Sequence, residues 1–196
     1  MKQTLSYAAC ALAASLLLVA CKDAPAPPSG GAKVAGAPVS ISAIEAEVSG
    51  FTLGSSISAR TVYVFFDAQC PHCAALWGAA KPLRSQAKFI WVPVAVMNKT
   101  SEMQGATLLG SKNPVASMDE HEASLSAGKG GIAVGTDIEA NREVVRKNTA
   151  VMNRFGFASI PTIVAQHAQT GAMVTQEGSL PTPLLAKLLG LAPPSN

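Results

Sequence analysis

Charged side chains are scarce in this chain: Asp, Glu, Lys and Arg make up 14% of 196 residues, and the formal net charge is +3. A nucleic-acid binder needs a dense Lys/Arg face, so that class of partner is excluded. Cysteine is scarce too, with four in the whole chain. Cys10 sits in an apolar leader, and the remainder is too few for a framework of structural disulfides. There is no second Cys-x-x-Cys, no Met- or His-rich tract and no internal repeat. The long apolar run, Leu5 to Ala20, is shorter than the roughly 20 residues of a comfortable membrane span. What is present is 48% apolar residues, ample for one core. The length suits one ordinary domain plus targeting and linker sequence.

Lys2 and the apolar run around Leu16-Leu17-Leu18 have the build of an export signal that is later removed. Leu18-Val19-Ala20-Cys21 follows, and it resembles the bacterial lipoprotein cleavage motif. That resemblance implies residues 1–20 as signal peptide and Cys21 as the lipidated first mature residue. Plain cleavage would leave Cys21 as a bare thiol, a hazard in an oxidising compartment, which favours lipidation. In lipoproteins of the enteric type, Lys22 rather than Asp after the cysteine favours the outer membrane. Residues 21–38, rich in Pro, Ala, Gly and Ser, read as a flexible tether. Residues 39–196 are then the folded domain.

Within that domain, Val39 to Val48 alternates weakly between apolar and polar residues. The first strong strand is Thr61-Val62-Tyr63-Val64-Phe65-Phe66, a run suited to burial on both faces of a parallel sheet. Pro71 is placed to open a helix that carries Leu76 and Trp77 and is interrupted at Pro82. A second strand runs from Phe89 to Val96, with Pro93 predicting an edge or a bulge. Thr100 to about Leu125 is helical with a break near Gly110 and Asn113-Pro114. A glycine-rich link, Gly128 to Gly135, leads to a helix from about Thr136 to Phe155, stopped by Gly156. A hairpin from Thr162 to Gln176 and a short helix from Pro181 to Leu191 close the chain.

The chemistry concentrates in Cys70-Pro71-His72-Cys73, at the end of a strand and the start of a helix. Unpaired N–H groups and the positive end of the helix dipole stabilise a thiolate at Cys70, and His72 adds a donor beside it. Lowering a thiol from about 8.5 to about 4 favours the thiolate by roughly 6 kcal/mol and makes the disulfide an oxidant. Cys70 is then the exposed attacking sulfur and Cys73, one turn in, the buried resolving one. Structural zinc would need two further ligands; His121 and His167 are lone residues and read as surface side chains. A c-type haem site needs His directly after the second Cys, where Ala74 stands. An inert disulfide across two residues would be strained. No metal and no cofactor are expected.

Tyr63-Val64-Phe65-Phe66-Asp67-Ala68-Gln69, Trp77, Lys81-Pro82, Leu109 to Pro114 and Phe157 to Thr162 then carry a resemblance to a known family. With the Cys motif, they resemble the thioredoxin superfamily, and within it the catalytic domain of the periplasmic disulfide-interchange proteins DsbG and DsbC. The resemblance covers about Arg60 to Leu191. It implies an α/β thioredoxin fold with a helical insertion between the second strand and the cis-proline strand. It implies Pro161 as that cis-proline, with Ile160 before it, pairing with an extended substrate segment. It also implies cysteine-containing periplasmic proteins as substrates and a membrane redox-recycling partner.

The chain departs from the family in three ways. Val39 to Ala59 is too short for the family's dimerisation domain, so a monomer is expected. Pro71-His72 matches the oxidase DsbA. The position six before Cys70, where many thioredoxin-fold proteins place a buried acid, is Val64; the direction of Asp67 is open at this level. Direction of electron flow is open as well. The readings from other classes are a copper chaperone using Cys70, His72 and Cys73, and a redox sensor that changes shape.

Overall fold

The computed structural model describes residues 38–194. The signal segment, Cys21 and nearly all of the tether lie outside the described residues. The helices are α1 (Ile41–Glu47), α2 (Pro71–Ala80), α3 (Lys99–Gly110), α4 (Pro114–Ser126), α5 (Glu139–Arg154) and α6 (Thr182–Leu189). The strands are β1 (Phe51–Gly54), β2 (Thr61–Asp67), β3 (Lys88–Val94), β4 (Thr162–Gln166) and β5 (Met173–Glu177). They form one sheet in the order β1-β3-β2-β4-β5. β2 runs parallel to β3 and antiparallel to β4, while β1 and β5 are antiparallel edges.

The period-2 alternation of the strands sorts the core into two layers. Val62, Val64 and Phe66 of β2, Phe89 and Trp91 of β3 and Ile163 of β4 face α2 and α6. Tyr63 and Phe65, Val92 and Val94, and Val164 face α1 and α5 on the other side. β2 is thus buried on both faces, which is why its run is continuously apolar. A chain of edge-on aromatic contacts crosses the first layer: Phe51 to Phe66 at 5.9 Å, Phe66 to Trp91 at 5.4 Å and Trp91 to Trp77 at 4.9 Å. Each such pair adds about 0.5–1.5 kcal/mol beyond its buried area. Trp77 carries this packing into the helix that bears the cysteines.

Several expectations change. Residues 39–48 hold a helix, capped by Ser40 accepting from the Ala43 N–H at 3.1 Å, because Ile44 and its neighbours bury one helical face. The four-residue β1 carries too short a pattern to be seen in sequence, so the strand counted second is the third along the chain. β3 is an interior strand, yet Pro93 remains outside the β1 pairing, which ends at Trp91. The Pro93 carbonyl accepts instead from Asn148 Nδ2 of α5 at 3.1 Å. The insertion breaks where expected: Gly110 ends α3, and Asn113 caps α4 through the Ala116 N–H.

The glycine-rich link is held in one place. Gln104 Nε2 donates to the carbonyls of Gly130 and Ile132 at 2.8 and 2.9 Å, and Ser124 Oγ to that of Gly131 at 2.8 Å. Gly131 has φ +94°, and a Cβ there would meet His121 at 2.5 Å, whereas at Gly128 a Cβ meets open space. Gly128→Ala is expected to cost about 1 kcal/mol, the left-handed penalty alone. Gly131→Ala adds a collision and is expected to cost about 2–3 kcal/mol. Urea unfolding midpoints of the two variants measure the difference.

Candidate active site

The strand-to-helix turn is fixed by a carboxylate. Asp67, buried at the end of β2, accepts from the Gln69 N–H on Oδ1 at 2.9 Å. Its Oδ2 accepts from the N–H groups of Val96 and Met97 at 2.8 and 3.0 Å. One side chain therefore ties the exit of β2 to the exit of β3, and the Cys70 N–H closes the turn on the Asp67 carbonyl at 3.1 Å. Cys70 is the N-cap of α2 with extended backbone, and Pro71 follows in the first turn. The N–H groups of Cys73 and Ala74 reach the Cys70 carbonyl at 3.0 and 3.2 Å.

Both cysteines are free thiols. The expectation of an exposed Cys70 is corrected: it is 4% exposed, against 0% for Cys73. The sulfur lies against the loop before β4, within 3.9 Å of the Ile160 carbonyl oxygen. Pro71 and His72 beside it are exposed. The Ile160–Pro161 peptide bond is cis. Glu177 of β5 braces this loop, accepting from the Ala158 N–H at 3.1 Å and from Ser159 Oγ at 2.9 Å. Cys70, Pro71, His72, Cys73, Ile160 and Pro161 thus stand in one constellation, while Cys21 lies outside the described residues.

The two sulfurs are driven apart in acidity. The Cys73 thiol donating to Cys70 lowers Cys70 most; burial opposes it, and the Cys73 and His72 amides and the His72 charge lower it further, to about 6. Burial first, then the hydrogen bond and charge shared with Cys70, pushes Cys73 far up. One sulfur is a thiolate near neutrality, and the other keeps its proton.

No family model matches this chain. Thiol:disulfide interchange protein DsbG of Pseudomonas aeruginosa is 31% identical over 141 residues, covering 70% of this chain and 54% of the relative. DsbG of Escherichia coli is 30% identical over 105 residues, 52% of this chain and 42% of that protein. The chain spans about half the length of these curated relatives. Among solved structures, Pseudomonas aeruginosa DsbA2 superposes with a TM-score of 0.56 at 19% identity, covering 70% of this chain and 91% of that one. The catalytic domain of Proteus mirabilis ScsC gives 0.53 at 13%, covering 72% and 87%. These superpositions show a thioredoxin-like fold.

This thioredoxin-fold domain uses side chains that sequence reasoning missed. His121 is a correction: it is fully buried, not a surface residue. Its Nε2 meets the Ala68 carbonyl, and its Nδ1 accepts from the Ile132 N–H at 3.1 Å. It links the insertion and the glycine-rich loop to the segment leading into Cys70. His167 is half-buried at the hairpin turn. Gln69, two residues past Asp67, joins the same brace through Gln104 and the Gly130 carbonyl. Trp77 Nε1 and Lys81 Nζ share Asp119 Oδ1 of α4 at 2.7 and 2.6 Å, fastening α2 to the insertion from its outer side. No short-range signal marks these partners; only the fall of Asp67 three residues before Cys70 was visible.

Two measurements follow. In the Cys73→Ala variant, the rate at which iodoacetamide alkylates Cys70 is expected to rise with pH about a midpoint above 6, because the largest lowering donor is gone. In wild type that midpoint is expected at about 6. Burial lowers the pKa of His121, so the unfolded chain takes up its proton first as pH falls. The His121 contribution is therefore complete above about pH 6.5 and is lost as pH drops through its folded pKa. The urea midpoint of the oxidised protein should fall between pH 7 and 5 more steeply in wild type than in His121→Gln.

Proposed function

We propose that this protein is a thiol–disulfide oxidoreductase that exchanges disulfides with cysteine-containing proteins of a Gram-negative envelope. The observation that carries this reading is a Cys70 sulfur of lowered pKa at a helix N-terminus, set against the cis Ile160–Pro161 bond with a protonated Cys73 one turn behind. The similarity to DsbG supports it, and a copper-binding or sensing role is not favoured.

In the reducing direction, the Cys70 thiolate attacks one sulfur of a substrate disulfide. A mixed disulfide forms and the other substrate sulfur leaves as a thiolate. Cys73 then gives up its proton and attacks the Cys70 sulfur, which closes the Cys70–Cys73 disulfide and releases the second substrate thiol. Oxidation of a substrate dithiol is the same path reversed. Ile160 and Pro161 hold the extended substrate strand beside Cys70. A membrane partner resets the pair, and lipid at Cys21 with the tether 21–38 carries the domain, as a monomer, at the periplasmic face of a membrane, the outer one by the residue after Cys21.

A Cys70 pKa of about 6 lies between those of thioredoxin, about 7, and DsbA, about 3.5. The reduction potential is therefore expected between about −270 and −120 mV, and the recycling partner sets the direction. The test is trapping. Cys73→Ser, incubated with a disulfide-bonded peptide, should accumulate a mixed disulfide at Cys70, and Cys70→Ser should form none. Absence of an adduct in Cys73→Ser overturns the reading, and the glutathione equilibrium of wild type then fixes the potential.

A further inference from the structure

Glu122 stands on the insertion helix α4, one residue past the buried His121 and one turn past Asp119. His121 turns inward to the Ala68 carbonyl, and Asp119 is occupied by Trp77 and Lys81. Glu122 has neither arrangement. Its Oε2 is buried and receives no hydrogen bond from the described residues. The side chain lines a cavity of about 260 Å³ together with Gln69, Pro71, Ala74, Leu125 and Ser126. Gln69 and Pro71 flank Cys70 in sequence, and Ala74 lies one helical turn beyond it, so the cavity that Glu122 lines adjoins the turn carrying the reacting sulfur.

The charged neighbours do not neutralise it. Lys81, on the turn after α2, is held at 2.6 Å by Asp119. Gln69 Nε2 is engaged by Gln104 and Gly130. The charge of Cys70, the N-cap of α2, reaches Glu122, and Cys73 behind it keeps its proton; His72 in the first turn of α2 and Lys129 in the loop after α4 are exposed. Burial, and after it the charge of Cys70, raises Glu122 to about 7. A carboxylate with one oxygen buried and unbonded near a thiolate is costly, because two like charges in a partly desolvated site cannot both ionise freely.

We propose that Glu122 is a positioning residue that exchanges a proton in step with the Cys70–Cys73 redox change, so that the site carries one negative charge in both redox states. This rests on the exchange reading. With glutathione as reductant, two thiols bring two protons and two electrons. The Cys70–Cys73 bond breaks, glutathione disulfide forms, Cys73 keeps one proton, and Cys70 remains a thiolate. The second proton goes to the Glu122 carboxylate rather than to solvent. Oxidation returns it. As pH rises beyond the range in which Glu122 holds that proton, the thiolate meets an ionised carboxylate, the reduced form is disfavoured and the protein becomes a stronger reductant.

The test is the equilibrium of full-length protein with glutathione and glutathione disulfide between pH 5 and 8, for wild type and Glu122→Gln. The two constants for oxidation are expected to coincide at pH 5. By pH 8 the variant's constant should be at least threefold smaller, about 15 mV more oxidising at 29.6 mV per decade. A constant ratio at every pH, or superimposed curves, overturns the proposal. Failure of wild type to equilibrate with glutathione at all would instead overturn the exchange reading. Infrared difference spectra of reduced minus oxidised wild type supply a second measurement that needs no variant stability. Near neutral pH a protonated carboxyl band should appear on reduction, and its absence contradicts the assignment.

Discussion

A thiolate at the open end of a helix is the constraint from which the rest of this structure follows. A sulfur anion is stable there only if amides and a thiol donor converge on it and if burial does not remove them from reach. The turn that delivers Cys70 must therefore be rigid, and Asp67 makes it so by collecting three backbone N–H groups from two strand ends. With no side-chain freedom left at Asp67, the first turn of α2 begins at a fixed point above the sheet. Burial works against the thiolate, which is why Cys70 settles at about 6 rather than near the low extreme that its dipeptide suggested.

The helical insertion braces the same turn from outside. His121, Gln69 and Gln104 draw the glycine-rich loop and the segment before Cys70 into one hydrogen-bonded unit, and Asp119 holds α2 through Trp77 and Lys81. Burial holds His121 below its usual pKa, and its ring can then accept from Ile132 while meeting Ala68. The Asp119 pair is partly exposed, so its Coulomb contribution is modest and its geometry matters more than its energy. On the opposite side Glu177 braces the loop of the cis Ile160–Pro161 bond. The Cys70–Cys73 pair is thereby held between two supports that come from distant parts of the chain.

Strand β2, the Cys motif, the break between α3 and α4, the hairpin and the closing helix were all legible, because each rests on local periodicity, Pro or Gly. Helix α1 was not, since seven residues carry less than two full turns of pattern, nor was β1 with four. Pro93 gave a half-correct signal: it requires an unpaired position on one side, which an interior strand supplies once its neighbour has ended. His121 was misread because a lone histidine in a polar stretch looks solvated until the loop that covers it is in place.

The sequence by itself determined the reactive chemistry: two cysteines at helical spacing, a proline to start the helix and a strand to present it. These are local facts, encoded by adjacent residues. Which groups surround the sulfurs was decided only by the tertiary structure. Asp67, His121, Asp119 and Glu177 act through partners up to 53 residues away. Their burial and direction follow from how the sheet and the insertion pack, and no local pattern records that.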